Sequence, residues 1–337
     1  MKIFEHGGQI EKFAFELGCN VDEIIDLSSN INFVKPQINV DFNTLDISSY
    51  PTYDKLYEKI SSNYGVENSE IELFNGGSSA IFTLFKHLSL QTCTIYSPAY
   101  LEYKKAALNF GYELNLINRF ENINQEVKEN SFVIFVNPST PDGRYYDLEE
   151  LMKTWIEKSC TILIDESFLD FCDKPSAIKY LKTYDKLYIL KSMTKFYSSA
   201  GIRVGTIVST KDNIEKLKEF EPMWKLSQFD SNYLQAALDD KLFKSISKAI
   251  NIKNKIELEN ILKSSSLIDE ISESSANYLL VKLKNLNGKE FQEKLKPFKI
   301  MVRDCSNFDF LDERFVRIAV KSSTANETLQ KALDKIC

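Results

Sequence analysis

The sequence is poor in the residues that build metal sites and disulfide frameworks. Its 337 residues include two histidines and six cysteines, and no two cysteines stand in C-x-x-C spacing. Zinc sites and disulfide-stapled folds need clusters of these residues. The sequence therefore predicts no metal site, and it predicts scattered buried thiols in a reducing cytoplasm.

Long apolar runs and an excess of positive charge are also missing. Apolar runs such as 132–136 are far shorter than the roughly 20 residues that cross a bilayer, and the opening MKIFEHGGQIEKF contains no apolar signal core. The net charge of -6 argues against nucleic acid, because a phosphate backbone needs a basic surface. A small anionic substrate needs only a local cluster of cations. We therefore expect a cytoplasmic protein that acts on small molecules and binds neither membrane nor nucleic acid.

Short β-rich runs alternate with helical stretches through the middle of the chain. Several of the runs are continuously apolar, which is typical of strands covered on both faces. The predicted strands are 71–74, 92–96, 132–136, 161–164, 187–190 and 204–208, and the predicted helices between them are 80–89, 100–110 and 148–158. This alternation predicts an α/β fold with a mainly parallel sheet flanked by helices.

The pattern changes after about residue 235. A charged helical stretch at 241–263 leads to predicted strands at 278–283, 300–303 and 315–320 and to a helix at 326–336. We therefore expect an N-terminal arm (1–40), a large domain (41–240) and a smaller α+β domain (241–337).

The densest chemical pattern is the string LKSMTKFYSSAGIRVG at 190–205. A strand is predicted to end at Ser192 and Thr194, Lys195 follows, and Arg203 comes eight positions later. Pyridoxal 5′-phosphate (PLP) chemistry needs a lysine amine that condenses with an aldehyde, a dry pocket that lowers the pKa of that amine, and donors for a phosphate. The hydroxyls and the guanidinium around Lys195 supply such donors. Taken alone, a lysine in such a loop is more often a solvated side chain.

Four further candidates each follow a predicted strand. Asp165 ends the run TILID and suits a protonated pyridine nitrogen, although alone it favours a helix N-cap or a Mg²⁺ ligand. The string NGGSS at 75–79 opens a helix, and helix starts bind anions. Asn137 suits the phenolic oxygen of the cofactor, and Tyr100 suits stacking on its ring. Each of these residues, taken alone, is also explained as an ordinary cap, turn or core residue. Their order along the strands, however, predicts that they all lie at one edge of one sheet.

In their order and local sequence these strings resemble the fold-type I PLP enzymes of the class I/II aminotransferase superfamily. The chain is similar to histidinol-phosphate aminotransferases and, more closely, to threonine-phosphate decarboxylases, over nearly its whole length. The resemblance implies a PLP-transferase fold (type I) and a homodimer with shared sites, because Tyr50 resembles a tyrosine that reaches the cofactor phosphate of the neighbouring subunit. It also implies these roles: Lys195 as the Schiff-base lysine, Asp165 as the pyridinium partner, Asn137 on the ring oxygen, Tyr100 stacked on the ring, and Gly77, Ser78, Ser192, Thr194 and Arg203 around the cofactor phosphate.

Three features resemble the decarboxylase branch. They are the HGG start with the later string SNIN at 29–32, a phenylalanine at 168 where aminotransferases commonly have a tyrosine, and the string VRDCSNFDFLDERFVRIAV at 302–320. The resemblance implies that Arg317 holds the substrate carboxylate, with the opposite assignment of the two arginines left open. The predicted ligands of the substrate phosphate are His6, Gly8, Asn32 and Arg303.

The expected reaction is decarboxylation of serine O-phosphate or threonine O-3-phosphate to CO₂ and an amino alcohol phosphate. The alternatives are an aminotransferase of the histidinol-phosphate type and a non-catalytic scaffold on the same fold. The chain departs from the usual NPNNPTG-like loop, which reads NPSTPDG here, and Ser198-Ser199 replace a more usual Gly-Leu. These departures lie near the predicted site and leave the substrate more open than the cofactor.

Overall fold

A computed structural model describes residues 8–336 of the chain, so the predicted ligand His6 lies outside the described residues. The strands are β1 Ile25–Asp26, β2 Ile71–Phe74, β3 Thr92–Ser97, β4 Glu113–Asn118, β5 Phe132–Val136, β6 Thr161–Asp165, β7 Leu187–Ser192, β8 Gly205–Val208, β9 Ile268–Ile271, β10 Tyr278–Leu283, β11 Ile300–Met301, β12 Arg303–Asp304 and β13 Phe315–Ala319. The helices are α1 Ile10–Leu17, α2 Asp54–Tyr64, α3 Gly76–Leu88, α4 Leu101–Asn109, α5 Glu149–Glu157, α6 Met193–Phe196, α7 Lys211–Lys218, α8 Gln228–Asp239, α9 Phe243–Ser264, α10 Gly288–Leu295 and α11 Ser323–Ile336. None of these helices combines the length and apolar character needed to cross a bilayer.

The large sheet has the strand order β2-β8-β7-β6-β5-β3-β4. Strands β3 to β7 run parallel, whereas β8 is antiparallel to both of its neighbours. The central strands are buried along their whole length between helices, which explains their continuous apolar runs. The expected α/β class with a mainly parallel sheet is confirmed. The edge strand β4 was not predicted, because its sequence ELNLIN alternates between polar and apolar residues and is only partly buried.

The small sheet is antiparallel, with the order β12-β13-β10-β9. The single strand predicted at 300–303 is in fact two short strands. One of them, β11, pairs in parallel with β1, and the other, β12, pairs with β13. In that second pair Arg303 lies directly opposite Arg317, so both arginines project from the same face of the small sheet.

The N-terminal segment joins the two sheets. After β1 has paired with β11, the carbonyl oxygen of Leu27 accepts a hydrogen bond from the amide of Ala319. A few residues later the amide of Asn32 donates to the carbonyl oxygen of Lys195. Beyond this segment, α8 ends at Asp239 and α9 begins at Phe243, next to the predicted boundary at 240. The division into three parts stays a prediction.

Backbone segments meet closely where β8 begins and α3 starts. A Cβ atom at Gly205 would lie 2.6 Å from the carbonyl carbon of Gly76 and 2.6 Å from the amide nitrogen of Gly77. Both atoms belong to the backbone and cannot swing aside. Glycine at 205 therefore brings the start of α3 against the sheet, and the start of α3 is the predicted phosphate site.

We expect Gly205→Ala to lower the free energy of unfolding by about 1–3 kcal/mol, because the added methyl must displace backbone. Denaturation in urea measures this change. Gly201→Ala is the matched control, since a Cβ there meets no atom within 4 Å, and it should change stability by less than about 0.5 kcal/mol. Equal stability of the two variants would contradict the close approach at Gly205.

Candidate active site

A cavity of about 370 Å³ lies between the large sheet and the small sheet, at the carboxyl ends of the parallel strands. This is where open α/β sheets bind ligands. The predicted site residues in its wall are Gly8, Gly77, Ser78, Tyr100, Asp165, Ser192, Thr194, Lys195, Arg203, Arg303 and Arg317. The predicted residues Asn32, Tyr50 and Asn137 do not line the cavity.

Lys195 lies on α6, the short helix that follows β7. The pKa of its amine is lowered to about 8, mainly by desolvation and also by the guanidinium groups of Arg317 and Arg203. The carboxylate of Asp165 opposes this shift. A substantial fraction of the amine is therefore unprotonated at a mildly alkaline pH, which is the form that attacks an aldehyde.

Asp165 ends β6 and is buried at the floor of the cavity. Burial raises the pKa of its carboxyl, and hydrogen bonds from Ser167 and Tyr103 oppose this rise. The hydroxyl of Tyr103 donates to Oδ2, and the amide of Ser167 donates to Oδ1 over 2.8 Å. These donors favour the charged form of the carboxyl in spite of its burial.

Sequence reasoning missed Tyr103, although a signal was present. It stands three residues after Tyr100 on α4, and residues at this spacing share one face of a helix. The aromatic ring of Tyr100 meets that of Tyr103 edge to face, with centroids 6.0 Å apart. The spacing from Tyr100 was therefore the signal that could have identified Tyr103.

Several hydrogen-bond donors gather around the start of α3. The helix contributes the backbone of Gly77 and Ser78, while the hydroxyls of Ser192 and Thr194 lie 2.8 Å apart. The guanidinium of Arg203 lies at the same place. It is so close to Gly76 that a Cβ atom added there would lie 2.5 Å from Nη2 of Arg203. A helix start, hydroxyls and a guanidinium suit a phosphate group. The described residues therefore fit PLP, with donors for the phosphate, an amine for the aldehyde and a carboxylate for the ring nitrogen.

Two more guanidinium groups line the wall that the small sheet supplies. Arg303 and Arg317 are 9% and 8% exposed. Arg317 donates from Nη1 to the hydroxyl of Thr140 over 3.2 Å and from Nη2 to the carbonyl of Ser28 over 3.1 Å. Its Nε has no hydrogen-bond partner within residues 8–336. Arg317 also lines the cavity, and a guanidinium in this position is suited to an anionic ligand.

The structure corrects the role predicted for Asn137. Its side-chain amide forms two hydrogen bonds of 2.9 Å with the backbone of Tyr146, and the residue stays outside the cavity wall. These bonds close the turn that the segment 137–146 makes, which is a common use of asparagine in loops. Thr140, three positions later, lines the cavity instead.

The structure also corrects the role predicted for Asn32. Its amide nitrogen donates to the carbonyl of Phe196 over 2.8 Å and to the hydroxyl of Ser247 over 2.6 Å. Its amide oxygen accepts from the side chain of Asn251 over 3.0 Å. A buried amide whose groups are all bonded to protein atoms has no capacity left for a substrate phosphate. Asn32 instead holds the N-terminal segment against the Lys195 helix.

Phe168 lies at the cavity, whereas Tyr50 lies on the surface. Phe168 lines the cavity and packs edge to face against Tyr278, with centroids 5.0 Å apart, so no hydroxyl reaches the cavity from this position. Tyr50 is 71% exposed and stacks on Trp224 at 4.0 Å. It lies outside the cavity of its own chain, and its role in a neighbouring subunit stays a prediction.

The pKa of Lys195 predicts a specific dependence of stability on pH. Below about pH 8 the amine is protonated in the folded and the unfolded chain, so its desolvation destabilises the folded state. Above that pH the folded chain loses the proton first, and the penalty disappears towards roughly pH 10.4. We expect Lys195→Met to stabilise the PLP-free protein by about 1–2 kcal/mol at pH 7, allowing for solvent near the half-buried amine, and not at pH 10.

Urea denaturation at a series of pH values measures this gain. Lys55→Met, at an exposed position, is the matched control, and its effect on stability should stay small at every pH. A gain from Lys195→Met that did not change between pH 7 and pH 10 would contradict the lowered pKa.

Comparison with curated proteins shows the family of the chain. The family model described as aminotransferase class I and II matches residues 24–336. A candidate threonine-phosphate decarboxylase of Caldanaerobacter subterraneus subsp. tengcongensis is 33% identical, over 99% of this chain and 94% of that protein. The histidinol-phosphate aminotransferase of Methanocaldococcus jannaschii is 27% identical, over 100% of this chain and 95% of that protein.

Solved structures show the same fold. The histidinol-phosphate aminotransferase of Clostridium acetobutylicum has a TM-score of 0.83 at 28% identity, covering 93% of this chain and 99% of that one. The L-threonine-O-3-phosphate decarboxylase of Porphyromonas gingivalis has a TM-score of 0.81 at 22% identity, covering 93% and 99%. The histidinol-phosphate aminotransferase of Sinorhizobium meliloti, solved with pyridoxal-5'-phosphate, has a TM-score of 0.84 at 16% identity, covering 98% and 94%. With its cavity, its family match and its fold in agreement, the chain belongs to the PLP-dependent class I and II aminotransferase family.

Proposed function

We propose that the chain decarboxylates an O-phosphorylated hydroxy amino acid, serine O-phosphate or threonine O-3-phosphate, to CO₂ and an amino alcohol phosphate. The observation that carries this proposal is the pair of buried guanidinium groups of Arg303 and Arg317, at opposed positions on one wall of the cavity. Two cationic forks beside Lys195 suit a substrate with two anionic groups, a carboxylate and a phosphate. The 33% identical relative named as a candidate threonine-phosphate decarboxylase supports the same reaction.

PLP, when bound, supplies an aldehyde that bonds the substrate amine and a ring that takes up electrons from the bond broken at Cα. The residues that would hold its ring are Lys195, Asp165 and Tyr100, and those around its phosphate are Gly77, Ser78, Ser192, Thr194 and Arg203. The carboxylate of Asp165, held by Tyr103 and Ser167, suits a proton on the ring nitrogen.

The remaining groups orient the substrate and move a proton. Arg317 orients the carboxylate, and Arg303 holds the phosphate. The rings of Phe168 and Phe308 line the cavity, and such apolar walls strengthen these charge interactions. Lys195 holds a proton at Nζ at neutral pH and, with a pKa near 8, donates it readily to Cα once CO₂ has left.

An aminotransferase of the histidinol-phosphate type is the second candidate. It is favoured by the 28% identity and the TM-score of 0.83 to the Clostridium acetobutylicum enzyme of that name. The buried Phe168 favours decarboxylation, because position 168 carries no hydroxyl that would touch the ring oxygen of the cofactor. In an aminotransferase, the α-carboxylate of the amino donor would bind Arg317, as the substrate carboxylate does in the proposed decarboxylation.

We further propose that the protein is a cytoplasmic homodimer with shared sites. Tyr50 and Trp224 stack on the surface, where Met223 is 77% exposed, and clustered exposed apolar side chains favour a contact between proteins. In this arrangement Tyr50 would reach the cofactor phosphate of the second subunit. Sedimentation equilibrium measures the assembly state, and a monomer at micromolar concentration would contradict the proposal.

We expect CO₂ and ethanolamine phosphate or 1-aminopropan-2-ol phosphate when the protein is incubated with PLP and serine O-phosphate or threonine O-3-phosphate. Trapping of ¹⁴CO₂ from the carboxyl-labelled substrate measures the reaction. Lys195→Ala is the control and should release no ¹⁴CO₂. Borohydride reduction should leave a pyridoxyl label on Lys195 of the parent protein and no label on the variant. Transfer of the amino group from glutamate without CO₂ would contradict the proposal, and an unlabelled parent protein would support a scaffold instead.

We expect Tyr103→Phe to lower kcat for decarboxylation about tenfold. The change removes a hydrogen bond to Asp165, raises the pKa of that carboxyl and leaves less positive charge on the ring nitrogen; hydrogen bonds to charged groups contribute about 1.5–3 kcal/mol. Tyr112→Phe is the control, because that hydroxyl donates to the carbonyl of Phe85 over 2.8 Å and does not line the cavity. Equal kcat values in both variants would contradict a role for Tyr103.

A further inference from the structure

We propose that the loop 139–142 positions Arg317 relative to Lys195, with Thr140 as the contact to Arg317 and the buried Arg119–Asp142 pair as the anchor of the loop. This inference deepens the proposed function, on which it rests, because it concerns how the carboxylate of the substrate is held. The loop is attached to the large sheet on one side and to the small sheet on the other.

The loop is anchored to the large sheet by an ion pair that solvent does not reach. The side chains of Arg119 and Asp142 are 2% and 1% exposed. Arg119, which directly follows β4, also donates to the carbonyl oxygen of Thr140 over 3.2 Å. The hydroxyl of Ser139 donates to the second carboxylate oxygen of Asp142 over 2.8 Å. Removing one partner would leave a buried charge uncompensated, so the pair fixes the loop in one place.

Arg119 also binds the backbone at the end of β3. The guanidinium of Arg119 donates to the carbonyl oxygen of Tyr96 over 3.2 Å and to that of Pro98. Both carbonyls belong to the end of β3 and the turn before Tyr100, which lines the cavity. One buried guanidinium therefore ties the loop 139–142 to a segment that carries a second cavity residue.

The other side of the loop contacts the small sheet at two points. The hydroxyl of Tyr278 donates to the carbonyl oxygen of Ser139 over 2.8 Å, and Nη1 of Arg317 donates to the hydroxyl of Thr140 over 3.2 Å. Tyr278 on β10 and Arg317 on β13 lie on adjacent strands, and the guanidinium lies over the tyrosine ring at 5.1 Å. The loop thus meets the small sheet at the place where the sheet presents Arg317.

Two hydrogen bonds hold the guanidinium of Arg317 in the wall of the cavity. Nη1 is bonded to Thr140 and Nη2 to the carbonyl of Ser28, while Nε has no partner within the described part of the chain. Orientation of a reacting group to within about 1 Å can change a rate by roughly 100-fold. Two of the three departures from the usual loop sequence therefore have a structural role: Thr140 holds Arg317, and Asp142 holds Arg119.

Two unreactive ligands that differ only in a carboxylate test the contact at Thr140. Racemic 3-phosphoglycerate carries a carboxylate and a phosphate, and glycerol 3-phosphate replaces the carboxylate with a hydroxymethyl group. We expect Thr140→Val to weaken binding of 3-phosphoglycerate to the PLP-loaded protein about tenfold and binding of glycerol 3-phosphate less than twofold. Thr140→Ser, which keeps the hydroxyl, should restore the preference. Isothermal titration calorimetry measures both affinities.

Equal weakening of both ligands in Thr140→Val, or no weakening of either, would overturn the inference, as would a parent protein that does not prefer 3-phosphoglycerate. Because neither ligand has an amine, the result does not depend on which reaction the protein catalyses. A parent protein that prefers 3-phosphoglycerate and responds to Thr140→Val, but releases no CO₂ from the phosphorylated amino acids, would refute the proposed function and support the inference.

The anchor is tested with a matched pair of buried carboxylates. Asp142→Asn removes the charge that pairs with Arg119, and Glu72→Gln removes the charge that pairs with the buried Lys225 outside the cavity wall. We expect both variants to melt at a lower temperature, and only Asp142→Asn to lose the preference for 3-phosphoglycerate. If both variants keep the same preference for 3-phosphoglycerate, the Arg119–Asp142 pair is merely structural and its proposed role as an anchor is overturned. If Asp142→Asn does not fold, Thr140→Val still tests the contact between Thr140 and Arg317.

Discussion

The structure depends on holding charges of both signs in one desolvated space. The amine of Lys195 and the carboxylate of Asp165 share the cavity with the guanidinium groups of Arg203, Arg303 and Arg317. Desolvation disfavours the charged form of each group, which is the main reason why the pKa of Lys195 falls while that of Asp165 rises, and Arg317 and Arg203 add to the fall at Lys195. The large sheet supplies the groups suited to a cofactor, and the small sheet supplies those suited to a substrate.

From strand order the sequence predicted which residues come together at one edge of the sheet, and the roles of these residues stay predictions. Lys195, Asp165 and the donors around Arg203 come directly after strands, and parallel strands end at one edge of a sheet. Loop side chains were predicted less well, since spacing does not show which polar group closes a turn. Asn137 bonds the backbone of Tyr146, which leaves Thr140 to face the cavity.

The strands at the edges show the same limit. Strand β4 and strand β9 were missed because each is covered on one side only, so the sequence lacks the continuous apolar run of a central strand. The fold also does not determine the reaction type. One scaffold hosts several reactions, and small changes near the reacting bond decide which of them occurs. In this chain the departures from the usual family pattern include Thr140, Asp142 and Phe168, which lie close to where the two sheets meet.

The register of the small sheet has a thermodynamic consequence. Arg303 and Arg317 are directly opposed on β12 and β13, and like charges at opposed positions repel one another. A bound dianion neutralises that repulsion, so filling the cavity and folding the small sheet favour each other. A ligand with two anionic groups would therefore protect the protein from unfolding and from the proteases that act on unfolded chains.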